Sequence, residues 1–265
     1  MTTYNADYSG QDFSGDRLID HDFSGIILIG TKFCYTDLSK TLFESADLSH
    51  SQLNNANLSD ACLRWANLED TNLRNANLKY ANLSDIVGKN ADFTFAKLQY
   101  ANLCRSSLAG SIFSGASLKC ADLCIANLSN VDLSFADLTG ADLTKCILIG
   151  ANLTNANLAD ADLTDADLTG TVLTNVKGLG TKEGEIEFAR NSLQKIESGE
   201  FRLDMEDWSH CLVGLAFPEE PDPEDVGAPL ASLMYPTLAK YFHASDEEAL
   251  EALRKVASGK LSVFG

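Results

Sequence analysis

A histidine and a cysteine sit side by side at His210 and Cys211, two residues after Trp208. Such a pair can supply a nucleophile with its base, or two ligands to a metal. No second Cys or His follows at ligand spacing, and His21, His50 and His243 are scattered, so packing is the better account of the pair. The seven Cys are an odd number without the spacing of a disulfide framework. Asp122, Asp142 and Asp162 recur at a fixed interval, as do Cys104 and Cys124. There is no Gly-rich phosphate loop, no G-x-S-x-G, no H-E-x-x-H and no EF-hand spacing. The expectation is a chain with no catalytic residue, no cofactor and no bound metal. What remains is surface chemistry. Tyr35, Trp65, Tyr80, Phe95, Tyr100 and Phe135 are large aromatics, each the second residue after a Leu or Phe, and they are the candidate partner surface.

Those residues are positioned by a repeat. From Tyr8 to Leu173 every fifth residue is Leu or Phe, apart from Tyr8 itself and Gly88: 34 positions hold 26 Leu and six Phe, with nothing inserted or lost. On an α-helix five steps of about 100° would scatter these side chains round the cylinder. On a flat strand an odd step sends successive ones to opposite faces. A coil that turns a corner every five residues keeps them all inside, and fixed periodicity of this kind marks a repeat architecture. Two residues before these positions a small residue is usual, Ala 19 times and Ser or Thr eight times; Cys146, Val131, Ile26, Ile86, Gln11, Asp16 and His21 fill the other seven. Asp or Asn usually precedes the Leu, and Ser or Thr follows it.

The run ADLSH, SQLNN, ANLSD, ACLRW, ANL from Ala46 to Leu68 resembles the pentapeptide-repeat family, whose consensus is A(D/N)LXX. The resemblance covers about two thirds of the chain. It implies an all-β, right-handed quadrilateral β-solenoid with four pentapeptides per coil, about eight coils in all. At a strand spacing of roughly 4.8 Å that is a rod about 40 Å long. Residues 20 apart would then stack. Tyr80 would lie beneath Tyr100, and Asp122, Asp142 and Asp162 would form a ladder whose carboxylates raise one another's pKa or attract a cation, with a solvated acidic face as the simpler account. Cys104 and Cys124 would be neighbours; a bridge between them is conceivable, but reduced thiols are the expectation. Cys146 falls on a small inward position and reads as core. At Gly88 a missing side chain would leave a gap unless Ile86 or Val87 fills it, or the chain bulges there.

Two regions follow from the pattern. Residues 1–176 form the solenoid. Residues 177–265 lose the register, hold all five Pro, and show helical spacing, so a small α-helical C-terminal region is expected, with helices over 183–197, 204–217, 226–242 and 245–257. The stretch from Trp208 to Ala216 faintly resembles a helical appendix on some cyanobacterial pentapeptide-repeat proteins. Gln11, Asp16 and His21 stand where Ala is usual, so the first coil is irregular, and its open edge invites weak self-association.

The formal net charge is −18. It is unevenly spread: residues 61–120 hold seven basic and four acidic side chains, and residues 121–170 hold eight acidic against Lys145 alone. No apolar run is long enough for a membrane helix and no signal peptide is visible, so no membrane contact and a cytoplasmic location are expected. Direct nucleic-acid binding does not suit this charge. The function these observations favour is a non-enzymatic scaffold for another protein. The alternative, which the resemblance brings with it, is a DNA mimic acting on DNA gyrase or another topoisomerase. A duplex carries about one charge per 1.7 Å, far denser than this chain supplies.

Overall fold

The computed structural model describes residues 6–178 together with Glu251, Arg254 and Lys255. The chain divides into two compact units, Met1–Val176 and Lys177–Gly265. The four expected C-terminal helices, with Trp208, His210 and Cys211, lie outside the described residues. The exceptions are Glu251, Arg254 and Lys255, which are helical, with Lys255 Nζ 3.4 Å from Glu251.

In the first unit each backbone bridge is parallel and joins a residue to the one 20 positions on, from Asp7↔Ile27 to Asn152↔Val172. One coil is therefore four pentapeptides. No extended strand forms among the described residues. Each pentapeptide gives one residue to the ladder and then turns, which is the shortest β contact a chain can make.

The five amides of one pentapeptide show why the consensus reads as it does. Leu58 N–H donates to Asn77 O at 2.7 Å and Asp60 N–H to Lys79 O at 3.0 Å, both in the next coil. Asn57 N–H reaches back to Thr36 O at 2.9 Å, and Ala61 N–H closes the corner on Leu58 O at 3.1 Å. The remaining amide, Ser59 N–H, donates to the side chain of Asn57 at 3.3 Å. Where the residue before the Leu is Asp or Asn, as here, it is a local acceptor for the corner amide.

The Leu and Phe side chains fill the interior. Phe33, Phe43, Phe93 and Phe113 are fully buried, and Phe93 stacks on Phe113 with ring centroids 4.5 Å apart. From Ile26 to Ala156 the small position is buried too. Where it is Thr, its hydroxyl donates to a carbonyl of the coil before, as Thr71 does to Leu48 O at 2.8 Å. Cys146 uses its thiol the same way on Leu123 O, and burial pushes its pKa up to about 12. It is core, as the spacing predicts.

Gly88 makes no bulge. The bridges Asn67↔Val87 and Val87↔Ser107 continue through it, and Gly88 N–H donates to Ser107 O at 2.8 Å. The vacancy is taken by Leu108, whose Cδ2 lies 2.9 Å from where a Gly88 Cβ would stand, and by Ile86 Cδ1 at 3.6 Å. Val87 is exposed.

Gln11, Asp16 and His21 are exposed, because among the described residues no earlier coil lies beneath them. The ladder positions of this first coil are Asp7, Asp12, Arg17 and Asp22. Charges along an open edge are a standard defence against edge-to-edge pairing.

Candidate interaction surface

Every fifth residue from Gly10 to Asn175 has positive φ. It is the third residue of each corner, and a turn of this kind needs the left-handed region there. Gly, Asn and Asp adopt it readily; for other residues it costs roughly 1–2 kcal/mol. Tyr35, Trp65, Tyr80, Phe95, Tyr100 and Phe135 all occupy such corners, with φ between 56° and 60°. All are exposed, from 49% for Trp65 to 71% for Tyr35. Ile125, at φ 59° and 53% exposed, is a β-branched residue in the same situation, and sequence reasoning did not single it out.

The six aromatics do not form one patch. Tyr80 and Tyr100 share a corner and stack, centroids 5.2 Å apart and rings 7° from parallel. Tyr35, Phe95 and Phe135 share a second corner but are separated by Asn55, Asn75 and Gly115. Phe95 leans onto Gly115, where a Cβ would run into its ring. Trp65 lies on a third corner with the Arg64 guanidinium 3.8 Å above its ring, a cation–π contact that holds the indole to the surface.

Because Tyr35 has Asn at the next two corners of its column and the largest exposure of the six, its cost is not recovered by packing. Tyr35→Asn is expected to stabilise the fold by about 1 kcal/mol, seen as a melting temperature roughly 2–4 °C higher. A lower melting temperature would show that the ring packs on its own surface.

The mid-chain cations are mostly committed. Arg105 forks onto Asp85, Nε to Oδ1 at 2.8 Å and Nη2 to Oδ2 at 2.9 Å, holding that carboxyl below its usual range. Arg74 Nη1 lies 3.1 Å from Asp92 and Lys119 Nζ 3.0 Å from Asp137. Burial pushes the Asp137 carboxyl up, but hydrogen bonds from Thr139 and Lys119 outweigh it and keep the carboxyl low. Lys79, Lys89 and Lys97 have no ion pair among the described residues.

The acidic ladder stacks as expected, through Asp122↔Asp142 and Asp142↔Asp162. Its carboxylates turn to their own corners. Asp122, Asp142 and Asp162 accept from the amides of Cys124, Thr144 and Thr164 at 3.0, 2.9 and 2.9 Å. The Thr164 hydroxyl and amide hold Asp162 below the usual carboxylate range rather than above it. Asp7, Asp12 and Asp22 are lowered in the same way by Ser9, Ser14 and Ser24, from an ordinary value of 3.8. Depressed folded-state values mean stability that is complete above the unfolded value and lost as pH falls through the folded ones. Thermal melts are therefore expected to coincide between about pH 7 and pH 5 and to shift downward by about pH 3. A constant melting temperature down to that pH would show that these caps contribute nothing.

Cys104 and Cys124 are joined as a disulfide, Cα atoms 4.7 Å apart, which corrects the expectation of reduced thiols. Stacking in successive coils brings them within bonding range. Their sulfurs and an Asp122 carboxylate oxygen lie within 4.8 Å of one another, the convergent set of metal-ligating groups among the described residues. With both sulfurs oxidised, only Asp122 retains a strong donor there. Among the described residues no helix is long and apolar enough to cross a membrane.

Several solved structures resemble the chain over most of their own length, among them the following two. HetL, a pentapeptide repeat protein involved in heterocyst differentiation regulation from the cyanobacterium Nostoc sp. strain PCC 7120, is 29% identical. The match covers 66% of this chain and 87% of HetL with a TM-score of 0.42. A trypsin-treated form of QnrB1, a plasmid-mediated fluoroquinolone resistance protein, is 22% identical over 65% of this chain and 91% of its own, TM-score 0.45. A further pentapeptide repeat protein from Nostoc PCC 7120 is 48% identical over 30% of this chain and 64% of its own, TM-score 0.29. No curated protein sequence matches the chain. Pentapeptide repeats, in eight copies, match residues 22–60, 56–86, 89–123, 113–144 and 136–175. That signature covers more than half of the sequence in unbroken register, and the chain belongs to the pentapeptide-repeat family.

Proposed function

We propose that this chain is a non-enzymatic, cytoplasmic protein-interaction scaffold. Its solenoid is a right-handed quadrilateral one of about eight coils, followed by an α-helical C-terminal region. The observation that carries the proposal is the set of exposed aromatics at left-handed corners. A bulky ring there costs conformational energy and adds nothing to the core, so its value lies in what it touches. Trp and Tyr are the residues that most often anchor protein interfaces. The scaffold's partner is another protein, and weak self-association at the first coil, whose ladder positions are Asp7, Asp12, Arg17 and Asp22, belongs to the same proposal.

The test replaces Tyr35, Trp65, Tyr80, Phe95, Tyr100 and Phe135 together with Asn. Crosslinking mass spectrometry in the native host then compares this variant with the unaltered chain. The Asn variant is expected to keep its fold and lose its crosslinked partners. Identical partners for both chains, or none for either, would sink the scaffold reading.

One observation favours the alternative, a DNA mimic at a topoisomerase: Asp122, Asp142 and Asp162 repeat down one face. Their spacing of roughly 4.8 Å is nearly three times wider than the charge spacing of duplex DNA. Inhibition of gyrase supercoiling by the full chain would move that reading ahead.

A further inference from the structure

The pentapeptides 76–80, 96–100 and 116–120 stack on one face through the bridges Asn77↔Lys97 and Lys97↔Ser117. Their sequences, ANLKY, AKLQY and ASLKC, hold three Lys and no acid. Lys79, Lys97 and Lys119 are all exposed. Tyr80 and Tyr100 stack along one border of this face and Phe95 stands at the other, so Phe95 and Tyr100 flank the pentapeptide that carries Lys97. On a chain of net charge −18 this is a local reversal of sign. Lys119 is shared with Asp137, whereas Lys79 and Lys97 have no ion pair among the described residues.

We infer that this face binds an extended acidic segment of a partner protein. The inference rests on the scaffold reading and names the chemistry of its partner. Carboxylates meet the ammonium groups while apolar atoms of the segment lie against the tyrosine rings. Lys79 and Lys119 lie in the same column two coils apart, roughly 9.6 Å at the usual strand spacing. An extended chain covers that distance in about three residues, so acidic residues at every third position match the lysines. Nucleic acid fits less well. Three lysines cannot neutralise a strand with about one charge per 3.4 Å while the rest of the molecule repels it.

The experiment titrates the full-length chain against fluorescein-labelled (Glu-Ala-Ser)4 and follows anisotropy. (Lys-Ala-Ser)4 and a 12-nucleotide oligo-dT serve as competing probes. The acidic peptide is expected to bind and to weaken with added salt. Lys79→Glu/Lys97→Glu is expected to weaken it about tenfold, and Tyr80→Ala/Tyr100→Ala to weaken it as well. Lys145→Glu, in another column, leaves it unchanged. Failure of the acidic peptide to bind, indifference to the Lys79/Lys97 reversal, or tighter binding of oligo-dT overturns the inference. If the acidic peptide fails while crosslinked partners persist in the Lys79→Glu/Lys97→Glu chain, this face is excluded and the scaffold reading stands. If the unaltered chain also has no partner, the scaffold reading falls with it.

Discussion

Phe113→Ala is expected to destabilise the first unit by roughly 3–5 kcal/mol and to lower its melting temperature by about 10 °C or more. Phe113 is fully buried and stacks on Phe93. The truncation loses the transfer free energy of the ring and leaves a hole. The coils above and below cannot close it, because their separation is fixed by ladder hydrogen bonds such as Phe113 N–H to Asp132 O at 2.7 Å. The control is Phe13→Ala. Phe13 also stacks on the ring 20 residues on, Phe33, at 5.3 Å, but it is only half-buried in the first coil. Its truncation is expected to cost less than half as much. Circular dichroism melts of the two variants decide the matter: equal losses would mean that the interior is not sealed at Phe113.

The second large effect is expected from the Cys104–Cys124 disulfide. It closes a loop of 20 residues, for which the loss of unfolded-state entropy corresponds to about 3 kcal/mol. Reduction with a dithiol, and the double substitution Cys104→Ser/Cys124→Ser, are each expected to lower the melting temperature by roughly 6–12 °C. Reductant is expected to leave the double Ser variant unaffected. Cytoplasmic thiol pools oppose such bonds, so alkylation and mass measurement on protein taken from the native host belong beside the melts. Two alkylated thiols at these positions without reductant, or a melt insensitive to reduction, would remove the bridge from the account.

Most of the first unit was legible because inside and outside alternate at a fixed step. Leu every fifth residue with Ala two before it admits only a coil that turns at that step, and the structure puts Leu58 and Ala56 in its interior accordingly. The Tyr80–Tyr100 stack followed from the 20-residue coil that the family resemblance implies. The covalent state of Cys104 and Cys124 did not, since the same proximity serves two thiols or one bond. For Asp122, Asp142 and Asp162 the spacing gave the column, as the bridges bear out, but not which way each carboxylate turns, and Cys124, Thr144 and Thr164 claim them locally. Gly88 was ambiguous because Leu108, 20 residues on, fills the gap. The left-handed corner went unread even though Gly, Asn and Asp at positions such as Gly110, Asn130 and Asp160 announce it. Against that preference, Tyr35 and Ile125 stand out from sequence as residues held where their type is disfavoured.

A coil of 20 residues built from four pentapeptides has a consequence for how such a surface can change. Duplicating or deleting a whole turn of the spiral leaves every compass bearing intact and only lengthens or shortens the distance between features. Removing a single five-residue unit, say Ser106–Gly110, still leaves Leu above Leu inside. Yet it swings everything after the cut through a quarter circle, so that Lys119 no longer shares a bearing with Lys79 and Lys97. A lineage can therefore redraw what is presented on each side without disturbing what holds the spiral up.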